Sequence, residues 1–290
     1  MKSERIASQK EPEPSVAPGV VRRICLNCGA QVEHSFCPAC GQKYRDNGDR
    51  SIKRLFGELI TNIFFFDSRL WVSLRYLFFK PGVMSREYLD GKRKKFLSPI
   101  SIFLFANLLY FFATPITDYS LPLQDQMQHQ VHSPLARELV KERLADRDLT
   151  LEDYSQSYDR ASLNLSKSIM IVNVPLLALM LWPLLLRRSR YYYDALIFSL
   201  HYFSVFLFVL VGFNGIFRMI LKLGIPLNEV SMLLLAVFGF PLVMGVISIR
   251  NYLQSTWWYA ILGGVVVILG LGFAQFVYRA VIFFGTFVTT

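Results

Sequence analysis

From Ser168 to Thr290 the chain carries only seven Lys/Arg and two Asp/Glu, and these charges fall between long apolar runs. A soluble fold must still clothe its exterior in polar side chains. This half has almost none to spare, so its exterior has to face lipid. Four runs reach the ~20 apolar residues with which a helix crosses hydrocarbon. They are Ser168–Leu186, Ala195–Phe217, Val230–Ile249 and Trp258–Val277. Pro99–Pro115 makes a fifth, slightly short. A polar loop, residues 116–167, separates the first two runs in the chain, and within it Leu135–Leu144 repeats at helical spacing. The expected fold class is an all-α multi-pass membrane protein of about five transmembrane helices.

The remainder of the chain is basic. Residues 1–97 hold 18 of the 31 Lys/Arg and ten Asp/Glu, within a chain whose net charge is +10. Because the cations flank apolar spans, membrane lipids and topology explain them, and nucleic acid is not the expected partner. Residues 1–22 are polar, hold three prolines and lack the apolar core of a signal peptide, which predicts a disordered tail. All four cysteines follow, as Cys25-Leu26-Asn27-Cys28-Gly29 and Cys37-Pro38-Ala39-Cys40-Gly41. A disulfide framework spreads its cysteines over the fold it staples, whereas two tight pairs read as metal ligands. Each glycine lets its knuckle turn back on the sulfurs. Four thiolates make a closed tetrahedral site with no open position for a substrate water, so Cys25, Cys28, Cys37 and Cys40 are expected to hold a structural zinc in a ribbon over residues 23–45. Iron can occupy the same tetrahedral thiolate geometry, but zinc is the expected ion, and His34 reads as a polar loop residue.

Residues 51–97 alternate between apolar and cationic. Ile52, Leu55, Phe56, Leu59, Ile60, Ile63 and Phe64 recur at helical spacing, and Leu70, Trp71, Leu74, Leu77 and Phe78 form a second stretch. Both are too short or too charged to span, and both suit amphipathic helices lying in the membrane interface. Lys80-Pro81-Gly82 ends the second stretch. Arg86 and the run Lys92, Arg93, Lys94 and Lys95 then precede the apolar domain of residues 98–290, as a topology signal and a place for lipid headgroups. With the N-terminus inside, the inner segments carry 22 Lys/Arg and the outer ones nine. That orientation keeps the thiols reduced in the cytoplasm and places the C-terminus outside.

Polar residues within spans are candidates for function because burying them in lipid is costly. Asn107, Asn173, His201, Asn214 and Gln275 are the set, and helix-to-helix bridging is the plainer account of them. Gly263, Gly264, Gly270 and Gly272 predict close helix packing, and Pro175, Pro183 and Pro241 predict kinks. No catalytic motif or nucleophile–base pair is present in the sequence, and no enzyme activity is expected.

Cys37-Pro38-Ala39-Cys40-Gly41-Gln42-Lys43, Lys80-Pro81-Gly82, Arg86-Glu87-Tyr88-Leu89-Asp90-Gly91-Lys92-Arg93 and Pro99, in that order, resemble the bacterial domain-of-unknown-function 3667 family. The likeness covers about residues 25–115. It implies a multi-pass bacterial inner-membrane protein with a zinc ribbon, and it supplies no activity. The expected role is docking, assembly or regulation, with a possible protein partner at the ribbon. A transporter or channel built on the five intramembrane polar residues is the alternative. A lipid-modifying enzyme using Arg86, Glu87, Asp90 and His201 is a third reading.

Overall fold

The structure is a computed structural model that describes residues 23–43, 51–52, 68–113, 121–223 and 234–290. The expected tail, the first amphipathic stretch beyond Ile52 and the start of the fourth run at Val230 lie outside the described residues.

The ribbon contributes a two-stranded antiparallel sheet, β1 (Arg23–Ile24) and β2 (Gln31–Val32). The helices are α1 (Ser68–Phe79), α2 (Val83–Leu89), α3 (Pro99–Ala113), α4 (Leu123–Gln128), α5 (Ser133–Arg147), α6 (Leu151–Ile169), α7 (Asn173–Leu185), α8 (Tyr192–Lys222), α9 (Phe240–Leu253) and α10 (Trp257–Thr289). A 3₁₀ turn, Met170–Val172, joins α6 to α7, just before Pro175, which cannot donate to the carbonyl of Ile171. A π turn, Leu235–Gly239, opens into α9 just before Pro241. Each irregular turn thus sits beside a proline named from the sequence.

Three helical stretches are long and apolar enough to cross a membrane: Leu151–Leu185, Tyr192–Ile220 and Trp257–Thr289, of 35, 29 and 33 residues. The apolar helices Pro99–Ala113 and Val237–Leu253 are shorter. In the bundle α8 lies between α3 and α7, and α10 packs on α6, α7 and α9. One core of Phe103, Leu177, Phe203, Ile249 and Val267 runs through it. Outward, Leu179, Leu262, Leu269 and Phe276 stand exposed, as a lipid-facing surface requires.

At 1.5 Å per residue the first and third of these stretches measure roughly 50 Å, about 20 Å more than a hydrocarbon core. The excess is used at one end. Tyr154 and Tyr158 of α6 meet Phe283 of α10, and with Leu123, Ala136 and Val140 they form a second core. Segment 116–167 is thus largely helical over its described part, and its core is shared with the last turns of α10. α6 begins at a helix cap that the loop expectation did not include: Thr150 accepts from the Asp153 amide as an N-cap, with Glu152 and Asp153 in the first turn.

Glycines decide how closely the helices approach. A Cβ on Gly264 would lie 2.5 Å from Val246 and 3.1 Å from the Leu242 carbonyl oxygen, and one on Gly263 2.7 Å from Ile249. Gly270 meets Leu177 in the same way, whereas Gly272 faces open space and carries no such contact. The tightest approach is at Gly82, where φ is +79° and an added Cβ would stand 2.1 Å from the Ser248 carbonyl oxygen of α9. Gly82→Ala is therefore expected to lower stability by about 2 kcal/mol or more, through strained backbone and a clash that a rigid helix cannot relieve. Gly272→Ala should be neutral or slightly stabilising. Thermal unfolding in detergent measures both, and equal melting temperatures would contradict the packing.

Candidate metal centre and basic turn

The two knuckles fold by the same hydrogen bonds. The Gly29 amide donates to the Cys25 carbonyl and the Gly41 amide to the Cys37 carbonyl, each at 2.8 Å. Gly29 and Gly41 adopt φ of +78° and +67°, where glycine is the unstrained choice. Cys25 and Cys37, with Val32, form the module's small core. The four Sγ atoms lie within 4.8 Å of one another. Cys25 and Cys40 are 3.7 Å apart, and Cys28 and Cys37 3.5 Å. A tetrahedral ion with ~2.3 Å bonds to sulfur requires edges of about 3.8 Å. The set therefore fits a metal ion, and all four cysteines are free of disulfides.

The backbone prepares one of these thiols. The Cys40 amide, against desolvation and with help from the Ala39 amide, holds the Cys37 thiol down to about 7. At Cys28 the Ala30 amide pulls the same way but is overcome by the hydrogen bond that the thiol donates to the Cys37 sulfur and by desolvation, and the thiol is pushed up to about 12.

The ribbon sits on the basic turn. Leu26 covers Gly91 so closely that an added Cβ there would lie 2.5 Å from its Cδ1, and Gly91 has φ of +104°. Gln42 Nε2 donates to the Gly91 carbonyl at 2.7 Å. Gln42 Oε1 accepts from the Arg93 and Lys94 amides at 3.2 and 3.1 Å. Of the cations named from the sequence, Lys92 and Lys94 are exposed, and Arg93 is half-buried over the Tyr88 ring. Arg86 and Lys95 are instead bound into the structure. Arg86 Nη1 donates to the Asn251 carbonyl at 2.9 Å. Lys95 reaches Glu87 at 2.9 Å and the Tyr76 hydroxyl, and together these hold its ammonium above the ordinary lysine value despite desolvation.

The same end of the bundle gathers segments far apart in the chain. Asn251 donates to the Pro81 carbonyl at 2.9 Å, and Arg188 pairs with Asp90 and lies over the Tyr252 ring. Arg187 covers Tyr259, and Arg250 covers Trp257 at 3.8 Å. On α1, Trp71, Arg75, Phe78 and Phe79 share one exposed face while Leu70, Ser73 and Leu77 pack inward. That arrangement suits a helix at a membrane interface.

No hydrogen bond among the described residues links the five intramembrane polar residues to one another. Asn107 donates to the Lys167 carbonyl at 3.3 Å, and Asn173 to the Met170 carbonyl at 3.1 Å beside the 3₁₀ turn. Asn214 and Gln275 are half-buried on α8 and α10. His201 is 2 % exposed, and its Nδ1 lies 2.9 Å from Ser85 Oγ, itself 2 % exposed. This pairing of α2 with α8, between residues 116 positions apart, left no local signal in the sequence. Asp194 was missed too, because it falls one residue before the apolar run. It is buried in the first turn of α8, where a helix favours a carboxylate.

Loading the site must displace protons from thiols, so metal affinity should fall as the pH drops. One ion per chain is expected by elemental analysis, with affinity at pH 5.5 about 100-fold or more below that at pH 7.5, since one proton displaced gives a factor of ten per pH unit. A flat pH profile would contradict thiolate ligation.

The basic turn and the helices around it are also what links this chain to others. Comparisons with curated proteins and with solved structures returned no match. Residues 67–111, which comprise α1, α2, the basic turn and most of α3, match the family described as Protein of unknown function (DUF3667).

Proposed function

We propose that this is a five-span bacterial inner-membrane protein of the docking or regulatory kind, whose cytoplasmic zinc ribbon is seated on the membrane domain and presents a protein-binding face. The observation that carries the reading is the seat itself, Leu26 on Gly91 and Gln42 on the Gly91–Lys94 backbone. A closed four-thiolate site offers no catalytic position, and zinc is the ion that such sites in a reducing compartment select.

Five crossings and an inside N-terminus are supported by what meets at each end. The segments that the charge split puts inside, residues 1–97, 187–194 and 250–256, are joined at one end through Asp90, Arg188, Asn251 and Tyr252. At the other end Arg147 donates to the Thr290 carbonyl and His132 stacks on Phe283. The dispersal of the polar residues favours docking over transport. The sealed Ser85–His201 pair reads as a joint between helices, and neither residue is exposed to a substrate.

Purification from native membranes tests the reading. Deleting residues 25–41 should remove at least one stoichiometric protein partner while the bundle is retained. An unchanged set of partners would contradict it.

A further inference from the structure

The basic turn holds a feature that docking alone does not require. Two successive main-chain amides, those of Arg93 and Lys94, converge on the Gln42 Oε1 atom, the Arg93 amide being shared with the Gly91 carbonyl at 3.0 Å. Convergent amides of this kind form an anion-binding nest. Four consecutive cations, Lys92 to Lys95, carry the same turn. Within it Arg93 Nη1 is enclosed with no hydrogen-bond partner among the described residues. Arg93 is also braced, its guanidinium lying 5.5 Å over the Tyr88 ring and its Nε donating to the Tyr88 carbonyl at 3.4 Å. A neutral amide oxygen is a weak occupant for such a place. A phosphate group would accept from both amides and from the free guanidinium nitrogen, with Lys92 and Lys94 exposed alongside.

We propose that the Gly91–Lys95 turn is a phosphate-binding nest and that the Gln42 side chain of the ribbon is its plug. The bound group is a phosphate carried either by a lipid headgroup of the inner leaflet or by a soluble anion. The plug is withdrawn when the ribbon lifts. Lifting the ribbon uncovers Gly91 from Leu26 and removes Gln42 Oε1 from both amides in one motion, leaving the Lys94 amide open and the Arg93 amide shared only with the Gly91 carbonyl at 3.0 Å. The ribbon and the phosphate group therefore compete for one turn, which makes the ribbon a regulatory element as well as a docking face.

This inference rests on the seated ribbon proposed above, and its test separates the two. Binding of radiolabelled inorganic phosphate is measured by equilibrium dialysis on the full-length, metal-loaded protein in uncharged detergent. Gln42→Ala should bind at least tenfold more tightly than the parent, and the gain should vanish in Gln42→Ala/Arg93→Ala. Should Gln42→Ala lose its metal, deletion of residues 23–43 opens the nest by another route and should show the same gain. No binding in any variant would overturn the nest. Equal, tight binding in parent and variants would instead show that the ribbon is not seated. Vesicles of phosphatidic acid compete with phosphate if the headgroup is the natural source, and vesicles of phosphatidylcholine serve as the control. Competition by soluble phosphomonoesters alone identifies the soluble anion.

Discussion

The placement of the N-terminal third depends on one contact of backbone with backbone. The Pro81–Gly82 turn lies so near α9 that no side-chain atom fits between Gly82 and the Ser248 carbonyl. Only glycine combines that approach with a φ of +79°. Around the turn the polar groups are paired, Asn251 with the Pro81 carbonyl and Arg86 with the Asn251 carbonyl. At a membrane surface such pairing matters, because main-chain groups turned toward lipid find no water to replace a missing partner. With α2 fixed between α8 and α9, the basic turn that follows it is presented outward in one orientation.

The ribbon is then held by two kinds of force. Leu26 on Gly91 and the three hydrogen bonds of Gln42 are short-range and directional. A zinc ion with four thiolates carries two negative charges in all, and the Lys94 ammonium stands 3.9 Å from the Cβ position of Gly41 in the second knuckle. Metal loading would thus do more than fold the module, as the order of 10 kcal/mol that isolated zinc-finger peptides gain from the ion indicates. It would also give the ribbon the charge that suits the turn beneath it. Loss of the metal would remove both the fold and the attraction.

The features repeated along the chain were legible in the sequence. Spacing of Cys25, Cys28, Cys37 and Cys40 reports the candidate metal set, because thiols close in sequence converge with little help from the rest of the fold. Hydropathy reports the long helices, because every exposed position on them must tolerate lipid. Relations between distant segments were not legible. Nothing local in Gln42 distinguishes it from other polar linker residues, and its partners lie about fifty positions away. Arg86 and Lys95 read as free cations, yet Asn251, Glu87 and Tyr76 bind them into the structure. α6 falls in a stretch read as polar loop, although Tyr154, Tyr158, Ser162 and Ser166 line its buried face at helical spacing and Thr150 and Asp153 mark where the helix begins.

The central claim is that the metal-loaded ribbon rests on the Gly91–Lys94 turn through Gln42. Amide hydrogen exchange of the full-length protein, with metal and after chelation, tests it most directly. The Lys94 amide should be protected in the loaded protein and lose that protection on chelation, while α3 and α8 keep theirs. Exchange at Lys94 that is fast with metal present, or unchanged by its removal, would contradict the account.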